Sequence, residues 1–195
     1  MIMYDPLHCG LFLILAFVLA GVFHSLWMHT RVSQSLAIPL DGGRMFRGRP
    51  ILGENKTLRG FVVMIPATAI AFAAVAIVIS LPQGTPPATV WQLTPVGYAA
   101  LGAWAGFGFM AAELPNSFVK RQLGILPGQA PASGLTRTIC FTIDHLDSIV
   151  GMLVAVTIAV HTPWTTWLWV LILGPSVHLL FSWWLFRLGV KGRRA

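Results

Sequence analysis

Five apolar stretches, residues 11–27, 61–81, 95–112, 139–160 and 164–186, take up most of this chain. Each is near the ~20 residues that carry a helix across the hydrocarbon core of a bilayer. Inside lipid the backbone must satisfy its own hydrogen bonds, which a helix does within one segment. Charged residues make up 10% of the chain, against roughly 25% in a soluble domain. The fold class is therefore an all-α integral membrane protein of about five transmembrane helices. With 195 residues there is no room for a folded soluble domain beside such a bundle. Residues 1–195 read as a single membrane-embedded domain.

The basic residues set the orientation. Arg31, Arg44, Arg47, Arg49, Lys56 and Arg59 lie between the first two stretches, and Lys120, Arg121 and Arg137 between the third and fourth. Arg187, Lys191, Arg193 and Arg194 follow the fifth, and these are all 13 Lys and Arg residues. Alternate loops thus carry every cation. The positive-inside rule then puts the N-terminus out, the C-terminus in and these loops at the cytoplasmic face of the cell (inner) membrane. The same rule accounts for the net charge of +7 without a nucleic acid partner. Trp91, Trp164 and Trp167 fit an aromatic belt on the outer side. The first 30 residues hold no Lys or Arg, so the first stretch lacks the basic region of a signal peptide and reads as a retained span. Cys9 and Cys140 fall on opposite sides, which speaks against a disulfide between them.

Five of the six acids, all but Asp5, share the basic face. Chemistry confined to one face points to a water-soluble substrate there. A transporter more often carries its polar groups at mid-span. Asp144, Asp147, Ser148 and Gly151 stand at i, i+3, i+4 and i+7, one face of a helix. Carboxylates so close to apolar residues are costly against lipid and should face a cavity. Carboxylate oxygens suit Mg2+, which completes its shell with waters and phosphates. An ordinary alternative is helix capping by Asp144, with Asp147 favoured by the helix dipole. One acid suffices for a cap, and here there are two. Glu113, Asn116, Ser117 and Lys120 repeat the spacing after the third stretch, offering a carboxylate, two neutral polar groups and a cation. There Pro115 is expected to kink or restart the helix. Snorkelling Lys120 and Arg121 at an ordinary polar boundary explain this second stripe equally well.

The first loop reads D-G-G-R-M-F-R-G-R-P-I-L-G-E-N-K-T-L-R-G. Its glycines permit close backbone approach to a ligand and its cations can neutralise phosphates. It lacks the G-x-x-x-x-G-K-[ST] of a Walker loop. Gly102 and Gly106 suit helix packing rather than a site. His24, His29 and His178 stand alone and receive no role, and His145 lies on a different helical face from the two aspartates.

Taken together these motifs resemble the CDP-archaeol synthase family, related to bacterial phosphatidate cytidylyltransferase. The family's pattern stands here as Glu113, then Ser117-Phe118-Val119-Lys120-Arg121, Gly124-Ile125, Gly128 and Asp144-His145-Leu146-Asp147. In the first loop it stands as Asp41-Gly42-Gly43 and Lys56-Thr57-Leu58-Arg59-Gly60. Glu113 replaces the family's usual Asp, His145 its Gln and Leu58 its Trp. The resemblance implies an enzyme that transfers CMP from CTP to a membrane lipid phosphate, of archaeal ether or phosphatidate type, and releases pyrophosphate. It implies Asp144, Asp147 and Glu113 on Mg2+. Lys120, Arg121 and Ser117 would act at the reacting phosphates, and Asp41, Gly42, Gly43, Lys56, Thr57, Arg59 and Asn116 would bind nucleotide. A homodimer is compatible with this and required by none of it. The rival reading is a small transporter or assembly subunit, which explains the spans but not the two matched stripes. A CDP-alcohol phosphotransferase is excluded, because Met45-Phe46 stands where that motif needs Ala-Arg.

Overall fold

The computed structural model describes residues 4–129 and 134–187, with backbone alone at 178, 179, 181, 182 and 184–187. The connector residues 130–133 and the tail's Lys191, Arg193 and Arg194 lie outside the described residues. The elements are α1 (Pro6–Met28), α2 (Arg31–Ser35), β1 (Met45–Phe46), β2 (Arg49–Pro50), α3 (Leu58–Ser80), α4 (Pro95–Gln122), α5 (Gly134–Ala159) and α6 (Trp164–Arg187). Helix α1 opens on Pro6, with the Asp5 carboxylate accepting the His8 N–H at 2.9 Å. Thr94 caps α4 in the same way, through the Gly97 N–H at 3.1 Å.

Each of the five expected segments lies in one long helix. Among the described residues α1, α3 and α5 are long and apolar enough to cross a membrane, whereas the apolar run of α6, Trp164–Val177, is shorter. Helix α4 falls short because glycine dilutes its apolar half, and packing explains the glycine. A Cβ on Gly102 would lie 2.8 Å from that of Phe72 on α3. A Cβ on Gly108 would lie 2.7 Å from the Gly151 oxygen on α5, and Gly151 meets Ala112 in return. Small residues let α4 touch a neighbour on both sides, as in helix pairs packed in lipid. Gly151, read from spacing as part of the acidic stripe, is therefore a packing residue.

The contacts α3–α4, α4–α5, α5–α6, α6–α1 and α1–α3 close the five long helices into a ring. At one end the ring is plugged. Phe12, Phe72, Trp91 and Tyr98 pack edge-on or tilted, with centroids 5.1–6.0 Å apart. The Trp91 indole donates to the His161 carbonyl at 3.0 Å, and the Tyr98 hydroxyl donates to the Trp91 carbonyl. Trp91 is 1% exposed, so it belongs to this plug and not to an aromatic belt. Trp164, at 72%, is free to meet the membrane interface. Leu15, Leu19, Ile70, Ile77, Ile158 and Ile172 are exposed around the outside of the ring, as a lipid-facing surface requires.

Two expectations about helix ends are corrected. Helix α4 runs unbroken through Pro115 to Gln122, because contacts with α3 and α5 hold both halves in line while the proline forfeits one hydrogen bond. It stops at a left-handed Gly124 (φ 77°). There the Ile125 N–H reaches the Lys120 carbonyl and the Gly124 N–H that of Arg121, both at 3.0 Å, a Schellman closure. Helix α5 is already formed at Gly134. Asp144 and Asp147 thus lie well inside it, and neither can serve as its N-cap.

Candidate active site

At the end of the ring opposite the plug, the loop between α2 and α3 folds back on itself. Leu40 N–H bonds Lys56 O at 2.8 Å, Leu58 N–H bonds Ile38 O at 2.9 Å, and Arg59 N–H bonds Leu36 O at 3.0 Å. Asp41 fastens the middle. One carboxylate oxygen accepts the Gly43 N–H at 3.0 Å, and the other accepts those of Leu52 and Gly53 at 2.8 and 2.9 Å. Burial pushes the Asp41 carboxyl up, but the Leu52, Gly53 and Gly43 donors outweigh it and hold it below its ordinary value. The structure thus gives Asp41 the work of a loop staple. Asp41, Gly42 and Gly43 line neither of the two cavities at this end. Gly53, held by that staple, carries φ +86°, and a Cβ there would lie 2.9 Å from Pro127 Cγ and 3.4 Å from Arg121 Cδ. The loop backbone therefore lies directly on the Arg121 side chain.

The glycine crossing of α4 and α5 brings the two polar stripes together. The Asn116 amide nitrogen donates to Asp144 Oδ1 at 2.7 Å and to Asp147 Oδ2 at 2.8 Å. The Lys120 ammonium donates to both oxygens of Asp144. Ser148 Oγ joins Glu113 Oε1 at 2.8 Å to Asp147 Oδ1 at 3.2 Å, and Lys56 pairs with the other Glu113 oxygen. Seven polar side chains from three elements thus form one network. Among the described residues no group of three or more His, Cys, Asp or Glu is arranged to hold a metal. Asp144 and Asp147 nevertheless each direct one oxygen at a single point, the Asn116 nitrogen. Two carboxylates completed by phosphates and waters is the way Mg2+ is held beside a nucleotide. The chemistry of this carboxylate pair suits such an ion, and Glu113 is linked to the pair only through Ser148.

Two cavities open around this network. One, of about 560 Å³, is polar and is lined by Asn116, Ser117, Lys120, Arg121, Asp144 and Asp147 among others. Arg121 is 8% exposed, yet its Nε and Nη1 have no hydrogen-bond partner among the described residues. Buried guanidinium N–H groups without acceptors call for an explanation, and a bound anion is one. The second cavity, of about 650 Å³, runs down inside the ring between apolar side chains of α1, α3, α4, α5 and α6. Its polar end carries Thr57 and Arg59, whose Nε is likewise buried and without a partner among the described residues. Asn55, Lys56, Glu113 and Asp144 line both cavities.

The CDP-archaeol synthase (CarS-like) family model matches residues 10–193. The chain belongs to the CDP-archaeol synthase family. It is an enzyme of that family and a multi-pass membrane protein. It is 32% identical over 160 residues to the CDP-archaeol synthase of Halobacterium salinarum, covering 78% of this chain and 81% of that one. It is 34% identical over 145 residues to that of Hyperthermus butylicus, covering 74% and 67%. It is 36% identical over 114 residues to that of Methanopyrus kandleri, covering 58% and 53%. A solved structure, described as an intramembrane enzyme for archaeal membrane lipids biosynthesis, superposes with a TM-score of 0.51. It covers 85% of this chain and 92% of that one at 23% identity, and so shares the fold.

Within this CDP-archaeol synthase family member, the structure gathers Glu113, Asn116, Ser117, Lys120, Arg121, Asp144, Asp147, Lys56, Thr57 and Arg59 around the two cavities. Sequence reasoning missed others. Asn55 lines both cavities. His24, His29 and His145 line the apolar one. The His145 and His29 rings each hold a carbonyl through Nδ1, of Phe141 at 2.7 Å and Ser25 at 2.8 Å. A lone histidine in an apolar run carries no periodic signal, so only the closure of the ring reveals these three together.

Proposed function

We propose that this chain transfers CMP from CTP to a membrane lipid phosphate, giving a CDP-lipid and pyrophosphate. The observation that carries the reading is the shared wall. A polar cavity and an apolar one meet at Asn55, Lys56, Glu113 and Asp144, so a soluble and an amphipathic substrate can meet there. The triphosphate lies in the polar cavity, where Arg121, Lys120 and Ser117 bind its phosphates. The lipid lies in the ring with its phosphate at Lys56, Thr57 and Arg59. Asp144 and Asp147 would hold Mg2+, which would supply charge neutralisation on the triphosphate.

The lipid phosphate is already anionic, so its oxygen attacks the α-phosphorus without a strong general base. The bond to the β-phosphate breaks and pyrophosphate leaves. What the protein supplies is alignment of two anions and compensation of their charge in a partly dry site. Lys120 and Asn116 keep the aspartates in place, and Lys56 holds Glu113 at the meeting point. The family's named product supports an ether-linked glycerol phosphate, and phosphatidate is the alternative acceptor. The cations of the loop and of the α4 end support a five-span topology, with this end of the ring at the cytoplasmic face.

The test is a panel of lipid phosphates with labelled CTP and purified protein. A labelled CDP-lipid, with pyrophosphate released in equal amount, is the expected result. No CDP-lipid with any of them, and no CTP-induced rise in melting temperature, sinks the reading in favour of a transporter or scaffold.

A further inference from the structure

The hairpin of β1 and β2 lines neither cavity. Its strands pair Met45 with Pro50 and Phe46 with Arg49. Arg47 and Gly48 make the turn, both left-handed, at φ 53° and 74°. A two-residue turn of this kind favours Asn-Gly. Arg47 is the only non-glycine residue with positive φ among the described residues, so the tip carries an arginine at a conformational cost. Met45 is 68% and Phe46 45% exposed, and Arg44, Arg47 and Arg49 are exposed around them. Residues 42–53 include no Asp or Glu, and among the described residues no ion pair reaches these three arginines. None of the three lines either cavity, so the phosphate chemistry does not use them.

Contacts with the end of α4 fix where the hairpin stands. The Phe46 ring lies 5.8 Å from that of Phe118. Arg49 donates to the Gln122 carbonyl, and the Gln122 amide donates to the Pro50 carbonyl at 3.3 Å. Phe118 comes two residues after Asn116, and Gln122 two after Lys120, which is about 200° around the helix. The hairpin therefore rests on the face of α4 turned away from the polar network, on the outside of the ring. Its height follows from the length of α4. The helix has 28 residues, about 42 Å, against ~30 Å of hydrocarbon core. The surplus falls at the end with Glu113, Lys120 and Arg121, because charge is costly inside the core. Phe118 and Gln122 thus stand at headgroup level, and the hairpin with them.

Outside the ring and at that height, what surrounds the hairpin is lipid. Exposed apolar side chains between unpaired cations are the composition of a segment that lies in an anionic membrane interface. The Arg47 guanidinium lies 5.3 Å from the centre of the Phe46 ring, which keeps charge and apolar surface side by side at the tip. We propose that the hairpin is a binding surface for anionic phospholipid headgroups of the surrounding bilayer, with Arg44 and Arg47 on the phosphates and Met45 dipping between the chains. This site is separate from both cavities and does not depend on the cytidylyltransferase reading.

The experiment titrates detergent-released protein with phosphatidylglycerol and with phosphatidylcholine of equal chain length, and counts bound lipid by native mass spectrometry. Wild type should bind phosphatidylglycerol about 25-fold tighter, fivefold for each of the two arginines without a partner. Arg44→Gln and Arg47→Asn should each lower the phosphatidylglycerol affinity about fivefold and leave that for phosphatidylcholine unchanged. Asparagine suits the left-handed turn better than arginine, so a loss in Arg47→Asn cannot come from a loosened hairpin. Arg31→Gln removes the same charge from the same end, away from the hairpin, and should change neither affinity. Met45→Ser should weaken both lipids alike. Inorganic phosphate should not compete, and the CTP-induced rise in melting temperature should be the same in every variant. Equal affinity of wild type for the two lipids overturns the proposal. So does a loss in Arg31→Gln as large as in Arg44→Gln, which would mean diffuse attraction to the whole basic face. Competition by inorganic phosphate would overturn it in favour of a site for a free anion.

Discussion

The two ends of the helix ring are built on opposite terms. At the plugged end the polar groups of the aromatic cluster are used up, with the Thr166 hydroxyl as the exception left without a partner among the described residues. The Trp91 indole holds His161, the Tyr98 hydroxyl holds Trp91, and the Asp5 N–H holds Thr89 at 2.8 Å. At the other end, Arg121 and Arg59 keep buried N–H groups without acceptors among the described residues, and nearby in the cavity wall His24 Nε2 is also without a partner among them. Leaving such groups unmade costs stability, so a fold tolerates them where a ligand supplies what is missing. The plug holds the ring closed, and binding is the role proposed for the open end.

Four substitutions would break or sharpen that contrast. The largest effect should come from Trp91→Ala, which empties the plug. Removing a buried tryptophan costs about 3–5 kcal/mol of stability, read as a lower melting temperature in detergent. Turnover per folded molecule should change little. A Trp91→Ala protein that melts like wild type but loses CTP binding would mean that the plug is part of the site.

At the open end the sign reverses. Asp147→Asn or Asp144→Asn should lower turnover by on the order of a hundredfold or more, about 3 kcal/mol of lost charge stabilisation. The ligand-free melting temperature should stay near that of wild type. The part of the CTP-induced stabilisation that depends on Mg2+ should vanish with it. Near-wild-type turnover by either variant at saturating Mg2+ would remove that carboxylate from the metal.

The smallest effect concerns the loop staple. Because the Asp41 pKa is lowered on folding, its contribution is complete above the ordinary carboxylate value. It is lost only as pH falls through the lowered one. Amide exchange protection at Leu52 and Gly53 should therefore hold from pH 7 down to the ordinary value near 3.8 and weaken below it. In Asp41→Ala the protection should already be reduced about fivefold at neutral pH, the worth of roughly 1 kcal/mol in hydrogen bonds. Unchanged protection in the variant would mean that the ladder from Leu36 to Leu40 holds the loop unaided.

What the sequence determined by itself follows from local rules. The apolar stretches had to become long helices, since a backbone in lipid bonds within its own segment. The spacing of Glu113, Asn116, Ser117 and Lys120, and of Asp144, Asp147 and Ser148, had to put each set on one helical face. The match of those residues to a family pattern supplied the chemistry. Tertiary structure decided the rest, because it depends on which faces meet. Gly108 against Gly151 is what turns the two stripes toward each other. The aspartates sit inside α5 because that helix begins before its apolar run does. Asp41 looked like a ligand because its three backbone donors come from residues up to twelve positions away, and local spacing carries no record of them. Trp91 looked like a surface belt because aromatic composition does not distinguish a lipid interface from a plug. His24 looked like nothing at all, and only the closing of five helices around one cavity gives it a place.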